Sequence, residues 1–461
     1  MKPIRYSLLL AAGLALPTAA FAQNELSNFT ATGRGGVINT FAQDYQTIGI
    51  NPANLGRAGQ ATVAFTLGEV GAGLASQSLS KTLFKHLLYD SDQPIGQAQR
   101  DELVRGLSGD NALNLNIDMT TLGLAVSLPN GLGGIAFSNR LRTGVHLGLN
   151  SNAADIIVNG QNAAIVRQYY PTPNTSGQTT PTNPNAPMIS TVLDGTSIQL
   201  ATTSEYNVAY GVRVFNKLGF KASVGVGYRY IQGLGITDIR AESGNLYAFT
   251  VLSSMKDSGF FNSVGKGNGF DFGLAFEVGK SLRLGASVID IGNMNWAGDI
   301  LTINDKILQQ PASQGIATYN VIMEVANQFI TNKQTLFTYE AAKERRAALP
   351  GKLRLGAGMR LSSLFEVGID FTAPLNKVAG NLTAPFIGLG VDFKPFRWLR
   401  LSSGVSGGAG YGTGLPLGLT LVSSVWEAGI SSRDVTGYFN EKAPYYSAAL
   451  GFLRFKIGGN N

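Results

Sequence analysis

The chain has no cysteine and only two histidines. Beyond its N-terminal leader it has no apolar run long enough to cross a bilayer as a helix. The first absence excludes a disulfide framework and thiol chemistry. His86 and His146, far apart and without Cys beside them, make no metal-ligand motif. A transmembrane helix needs ~20 consecutive apolar residues, and no later window approaches that. There is no long Lys/Arg run either, and so no nucleic-acid signature. Gly 58 and Pro 17 are too sparse and unperiodic for a fibrous protein.

What the chain does have begins with an address. Lys2 and Arg5 precede a short apolar stretch, Leu8 to Leu16, and Ala20-Phe21-Ala22 is a small-x-small cleavage site. Residues 1–22 are therefore expected to be a signal peptide. Losing Lys2 and Arg5 with it takes the formal charge from +7 to +5. A secreted, Gly-rich chain without a helical span fits either a soluble extracytoplasmic fold or a barrel in the outer membrane.

Periodicity decides between them. From Ile135 to Leu149, Ile135, Phe137, Leu141, Val145, Leu147 and Leu149 fall on one face of a strand. Ser138, Arg140, Arg142 and His146 fall on the other. Typical globular strands run about 5–6 residues, so this one is long. The design recurs in hairpins: Tyr206–Val214 with Phe220–Tyr230, Phe270–Val278 with Leu282–Val288, Leu353–Leu361 with Phe365–Phe371, Ile387–Phe393 with Leu399–Val405, and Leu417–Leu421 with Trp426–Ile430. With Leu113–Leu128 and flanking strands near Ala61–Ala75 and Tyr446–Ile457, the count is fourteen. Short turns alternate with long connections: 76–112, 150–195, 231–268, 298–350, 374–384, 407–414 and 434–444. That alternation is the pattern of an outer-membrane β-barrel with brief periplasmic turns and large outer loops. The fold expected is thus an all-β, transmembrane antiparallel barrel of about 14 strands, residues 61–461, with both termini on the periplasmic side.

Within the loops, Lys81–Tyr89, Gln97–Leu107, Tyr319–Ile330 and Thr338–Ala347 read as short helices. Pro171 to Pro187 is a Pro/Thr/Asn tract without periodicity, expected to form a mobile outer loop. Trp398 and Trp426 are expected at the inner membrane interface and Trp296 at the outer one, where indole rings favour the headgroup level.

Residues 23–60 precede the first strand and hold Gly33-Arg34-Gly35-Gly36, then Asp44, then Asn51-Pro52-Ala53. This order resembles FadL-like barrels, the long-chain fatty acid transport family, whose Gly-rich N-terminal hatch ends in Asp, a short spacer and Asn-Pro-Ala before the first strand. Over most of its length the chain also resembles a Bacteroidetes group of FadL-like outer-membrane proteins of unknown function. That likeness rests on Tyr45 through Gly56, Gly267 through Gly273, and Gly285 through Trp296. The resemblance implies a barrel plugged by its own N-terminus, residues 23–60, that moves hydrophobic molecules inward. The chain matches no ligand-binding residue of that family. Read on its own chemistry, Asn51-Pro52-Ala53 is a turn that ends the plug and launches strand one.

Catalysis finds little support. His86 lies in a loop helix beside Lys85, on a solvated face. His146 is expected in the lumen, away from any lipid-facing serine. Asp370, Asp392 and Glu366 are expected to pair with Arg354, Arg360 or Arg400. Gly265-Lys266-Gly267-Asn268-Gly269 is followed by a strand, not the helix a phosphate-binding loop requires. No cofactor or metal is expected.

The lumen-facing cations Arg140, Arg142, His146, Arg213, Lys221 and Arg229 are candidate contacts for a carboxylate, against the alternative of salt bridges to the plug and neighbouring strands. The expectation is a monomer in the outer membrane, in contact with lipid, passing a hydrophobic small molecule. The alternative is a non-transporting surface scaffold or secretion-machinery component that binds a protein partner.

Overall fold

The structure, a computed structural model, describes residues 26–57, 61–172, 181–252, 263–321, 339–378, 380–382, 384–409, 412–442 and 444–458. The expected signal peptide, most of the Tyr319–Ile330 helix and the middle of the Pro171–Pro187 tract lie outside the described residues.

Among the described residues eighteen strands form one closed antiparallel sheet. They are β1 Val63–Thr66, β2 Glu69–Ala75, β3 Gly109–Ser127, β4 Gly134–Leu149, β5 Ser197–Lys217, β6 Phe220–Glu242, β7 Asn245–Leu252, β8 Gly265–Val278 and β9 Leu282–Ile303. The circuit continues through β10 Tyr339–Ala348, β11 Lys352–Arg360, β12 Phe365–Pro374, β13 Phe386–Phe396, β14 Leu399–Gly408, β15 Thr413–Gly414, β16 Leu417–Val422, β17 Trp426–Ser432 and β18 Tyr445–Ile457. Four neighbouring pairs share a lane of the wall: β1 with β2, β7 with β8, β10 with β11, and β15 with β16. The wall therefore has fourteen lanes. β18 pairs with β1 and β2 to close the ring.

The two faces differ as the alternation requires. On β5, β6 and β8 the exposed outer row is Tyr206, Val208, Tyr210, Val224, Val226, Tyr228, Phe270, Phe272 and Leu274. The inner row carries Glu205, Asn207, Ser223, Arg229 and Asp271, all buried. Apolar outside and polar inside is the inverse of a soluble protein and the chemistry of a wall that meets hydrocarbon.

The wall is uneven in height. β5, β6 and β9 run 21, 23 and 22 residues, whereas β16 and β17 run 6 and 7. A tilted crossing takes about 9–11 residues, so the tall side projects beyond the bilayer on the long-loop side. Residues 231–242, 245–252, 298–303 and 339–348, read from sequence as loop, are thus strand. Of the Thr338–Ala347 segment, residues 339–347 are likewise not a helix but lie in β10, which pairs to the top of β9 from Tyr339↔Ile303 to Ala348↔Asn293, and Thr338 lies outside the described residues. Its Ala, Glu and Lys favour helix locally, and cross-strand pairing overrides that preference.

The helices Lys81–Tyr89 and Gln97–Leu107 form as expected, the first with the Ser80 hydroxyl accepting from Leu83 N–H. They pack with Ser151–Asn159, Ala164–Tyr169 and Ile189–Val192 into a cap over the tall side. Its own apolar core includes Leu79, Phe84, Leu103, Ile157, Val166 and Ile316. Arg100 donates to the Val158 carbonyl, and the Tyr170 hydroxyl to that of Leu308, tying three loops together.

Candidate functional site

The short-turn end of the barrel is its bottom, and height along the lumen rises from there. The lower lumen is taken up by residues 26–57, whose contacts run around the inner wall. Arg34 pairs with Asp392 of β13 at 2.8 Å and Asp44 with Arg454 of β18 at 2.7 Å. Asp370 of β12 accepts the backbone N–H of both Ile38 and Asn39 at 2.6 Å, so it serves this segment. Ser27 bonds Asp118 of β3 through both its N–H and its hydroxyl. The Tyr45 hydroxyl donates to Glu69 of β2 at 2.6 Å, and burial followed by that carboxylate pushes its pKa up. Burial, then the neighbouring Arg283, brings the Arg57 guanidinium down to about 10, so it stays cationic near Glu277.

The Asn51-Pro52-Ala53 turn is a docking element. The Asn51 side chain accepts from Ala53 N–H to cap the 3-10 helix Pro52–Gly56. Its amide donates to Asn39 and to the Leu274 carbonyl of β8, both at 2.9 Å. Pro52 and Ala53 lie against Gly211, Gly225 and Gly273 on three adjacent lanes. Gly211 pairs with Gly225, and Gly225 with Gly273. A methyl at Gly225 would fall inside van der Waals contact with the Pro52–Ala53 backbone. The same tiling continues with Gly285 and Gly356 under Asn39, Gly390 under Arg34, and Gly429 and Gly451 under Phe29. Absent side chains on the inner row are what make room for the segment.

Above it lies a layer of charge. Arg229, wholly buried, bonds Glu205 at 3.2 Å, Asp271 at 2.9 Å and Asp290 at 2.9 Å. Arg140 pairs with Asp118 at 2.7 Å, Arg142 with Glu205 at 3.4 Å, and Lys352 with Asp290 at 3.9 Å. Gly49, at φ +72, sits beneath the Arg140 and Arg229 guanidinium groups. Asp290 owes its place to a β-bulge. Phe270 pairs with Ile291 and Phe272 with Val288, so Ile289 and Asp290 together oppose Asp271, and Asp290 adopts φ +60.

The six predicted cations are not brought together. Arg140, Arg142 and Arg229 stand in this charge layer. His146 is higher, its Nδ1 2.7 Å from Asn114 Oδ1. Arg213 pairs with Glu277 at 3.4 Å near the bottom, and Lys221 is part-exposed at the same end. Glu366 pairs with Arg360 at 2.9 Å and Asp392 with Arg400 at 3.8 Å, in line with expectation. Among the described residues no group of three or more His, Asp or Glu is disposed to hold a metal ion. His86 pairs with Asp90 in the cap and stacks on Tyr319.

Over the charge layer the lumen opens into a cavity of about 250 Å³. Its walls are Ile231, Ile236, Phe249, Met294, Trp296 and Leu349, and Arg142, Glu205 and Asp290 form its polar floor. Of the six predicted cations only Arg142 lines it. Arg240, held by Asp238 at 2.9 Å, and Arg345 both lie over the Tyr247 ring at the rim. Trp296 is 2% exposed and packs over Gly233 and Gly265, so it belongs to this cavity and not to the outer girdle. The bulge explains the correction. Before it the even positions of β9 face out, as at Leu284; after it they face in, as at Met294 and Trp296.

Compared with known proteins, residues 229–424 match a family of unknown function, DUF5723. No curated protein sequence matches the chain. The structural neighbours include the toluene transporter TbuX of Ralstonia pickettii, at 13% identity and TM-score 0.47, covering 95% of this chain and 100% of that one. A FadL homologue of Pseudomonas aeruginosa is 11% identical at TM-score 0.45, covering 96% and 99%. The toluene transporter TodX of P. putida is 10% identical at TM-score 0.45, covering 95% and 100%.

Proposed function

We propose that this chain is an outer-membrane channel for small hydrophobic molecules, with residues 23–60 acting as its plug. The observation that carries the reading is an open space walled by apolar side chains directly above the charge layer. A barrel interior that only holds water or its own plug has no reason to gather Trp296, Phe249, Met294, Ile231, Ile236 and Leu349 around an open space. Apolar pockets with a few convergent polar groups are the usual form of small-molecule sites, at about 300–1,000 Å³. At about 250 Å³ this one suits a small passenger. The plug closes the path below through its glycine-floored packing and its paired charges, and passage through the lumen requires it to shift. The six lumen cations serve mainly to tie lanes of the wall to one another. Four of them, Arg140, Arg142, Arg213 and Arg229, already face carboxylates.

Trp296 supplies the test. With Trp398→Phe and Trp426→Phe, it is the sole indole. Titration with naphthalene is expected to change its fluorescence saturably. A response that stays linear with concentration contradicts the site.

A second reading, a surface scaffold that binds a protein, draws on the cap, whose buried core gives the outer loops a fixed shape. It predicts a partner retained by intact cells and lost when loop 298–350 is trimmed.

A further inference from the structure

The two mouths of the barrel carry opposite charge. The bottom mouth comprises 57, 61–62, 127–134, 213–221, 277–283, 360–366, 392–400, 422–427 and 454–458. These stretches hold twelve Lys and Arg against four Asp and Glu. The outer connections carry a slight acidic excess. The four acids at the bottom are already engaged. Glu277 lies near Arg57 and Arg213, Glu366 near Arg360 and Lys394, Glu427 near Arg454 and Lys456, and Asp392 near Arg34 and Arg400. Lys217, Lys280 and Arg397 stand exposed at turn tips, without an ion pair among the described residues.

The cations do not face lipid. They occupy the inner rows and the turn tips. The outward positions at this end are Val214, Phe220, Val278, Phe365, Phe396 and Trp398, all exposed and apolar. Phe396 and Trp398 stack at 5.4 Å, forming an aromatic rim where headgroups would lie. The positive surface therefore points into the aqueous compartment under the mouth. A ring of one sign around a low-dielectric wall focuses its field on the axis.

We infer that the bottom mouth is a docking surface for a soluble periplasmic protein with an acidic face, a carrier that takes the passenger as it leaves. The inference rests on the channel reading. Releasing an apolar molecule directly into water costs free energy in proportion to the area exposed, so hand-over to a bound carrier is the favourable exit. Charge complementarity supplies orientation and a fast encounter.

The test uses the full-length barrel in zwitterionic nanodiscs and a fluorescein-labelled oligoglutamate peptide as probe. Saturable binding at physiological ionic strength is expected. The combined Lys217→Glu, Lys280→Glu and Arg397→Glu variant is expected to weaken it by about tenfold or more. Lys85→Glu, in the outer cap, is expected to leave it unchanged. These side chains are exposed, and heat-modifiable migration on gels checks that the variants fold. Absence of binding to the wild type, or equal binding to the triple variant, overturns the inference. So does loss of binding when phosphatidylglycerol is added to the discs, which would assign the cations to lipid headgroups. The naphthalene titration, run on the same discs, separates the two ideas: a failed peptide arm beside an intact titration removes the docking surface and leaves the channel standing.

Discussion

The lower and upper halves of the lumen are built from the same strands yet solve opposite problems. Below Arg229 the inner row is stripped to glycine at Gly225, Gly273, Gly356 and Gly429, and backbone from residues 26–57 fills the space. Above it the inner row of β6 and β9 turns bulky and apolar at Ile231, Ile236, Met294 and Trp296, and a cavity remains. Small residues leave room that the chain itself fills. Large residues leave a void because their shapes do not fill the space. The charge layer at Arg229 separates the two regimes, and the Asp290 bulge both supplies one of its carboxylates and turns β9 over at that height.

The comparison can be broken most strongly at its divide. Arg229→Met leaves Glu205, Asp271 and Asp290 buried around a lost cation, and is expected to cost about 3–5 kcal/mol. Urea unfolding from lipid vesicles measures it. An unchanged midpoint would show the layer to be dispensable.

Next in size is the glycine floor. Gly225→Leu should cost about 1–3 kcal/mol through overpacking and push residues 51–53 off the wall. Protease access to residues 26–57 and single-channel conductance should both rise while the barrel stays folded. The upper half should respond otherwise. Ala347→Phe fills the cavity, and naphthalene affinity should fall about tenfold, or ~1.4 kcal/mol, with conductance unchanged. The smallest effect is expected at Arg346, exposed on the cavity rim without an ion pair among the described residues. Arg346→Gln should shift stability by no more than about 0.5 kcal/mol. It should leave naphthalene binding within twofold, about 0.4 kcal/mol, which marks recognition as apolar and not ionic.

The hairpins were legible because period-two alternation between lipid and lumen leaves a direct trace in residue order. Tyr206–Val214 against Phe220–Tyr230 is read from it in register. The upper wall was not. In β6 beyond Ile231 both faces are covered, Ile236 lining the cavity and Ile239 packing on the opposite face into the cap core, so the alternation that marks a strand fades. β10 was obscured by its Ala, Glu and Lys content. The glycine floor escaped for a simpler reason: glycine adds nothing to a hydrophobic pattern, and its meaning in this barrel lies in what packs against it. Trp296 was placed on the wrong side because one bulge reverses facing for everything beyond it, and Asp290 carries no mark of that in sequence. Of the candidate cations, Arg140, Arg142 and Arg229 lie buried on the inner row, but their pairing could not be read from sequence. Glu205, Asp271 and Asp290 meet Arg229 only through the closure of neighbouring lanes.

The claim that the upper lumen receives a hydrophobic molecule while the lower lumen is filled by the N-terminal segment is tested most directly by anomalous diffraction from crystals soaked in 1-bromonaphthalene. The account predicts a bromine peak between Trp296 and Leu349, with residues 26–57 still seated on the glycine floor. Bromine found only in grooves on the outer wall, with the cavity empty, would contradict it.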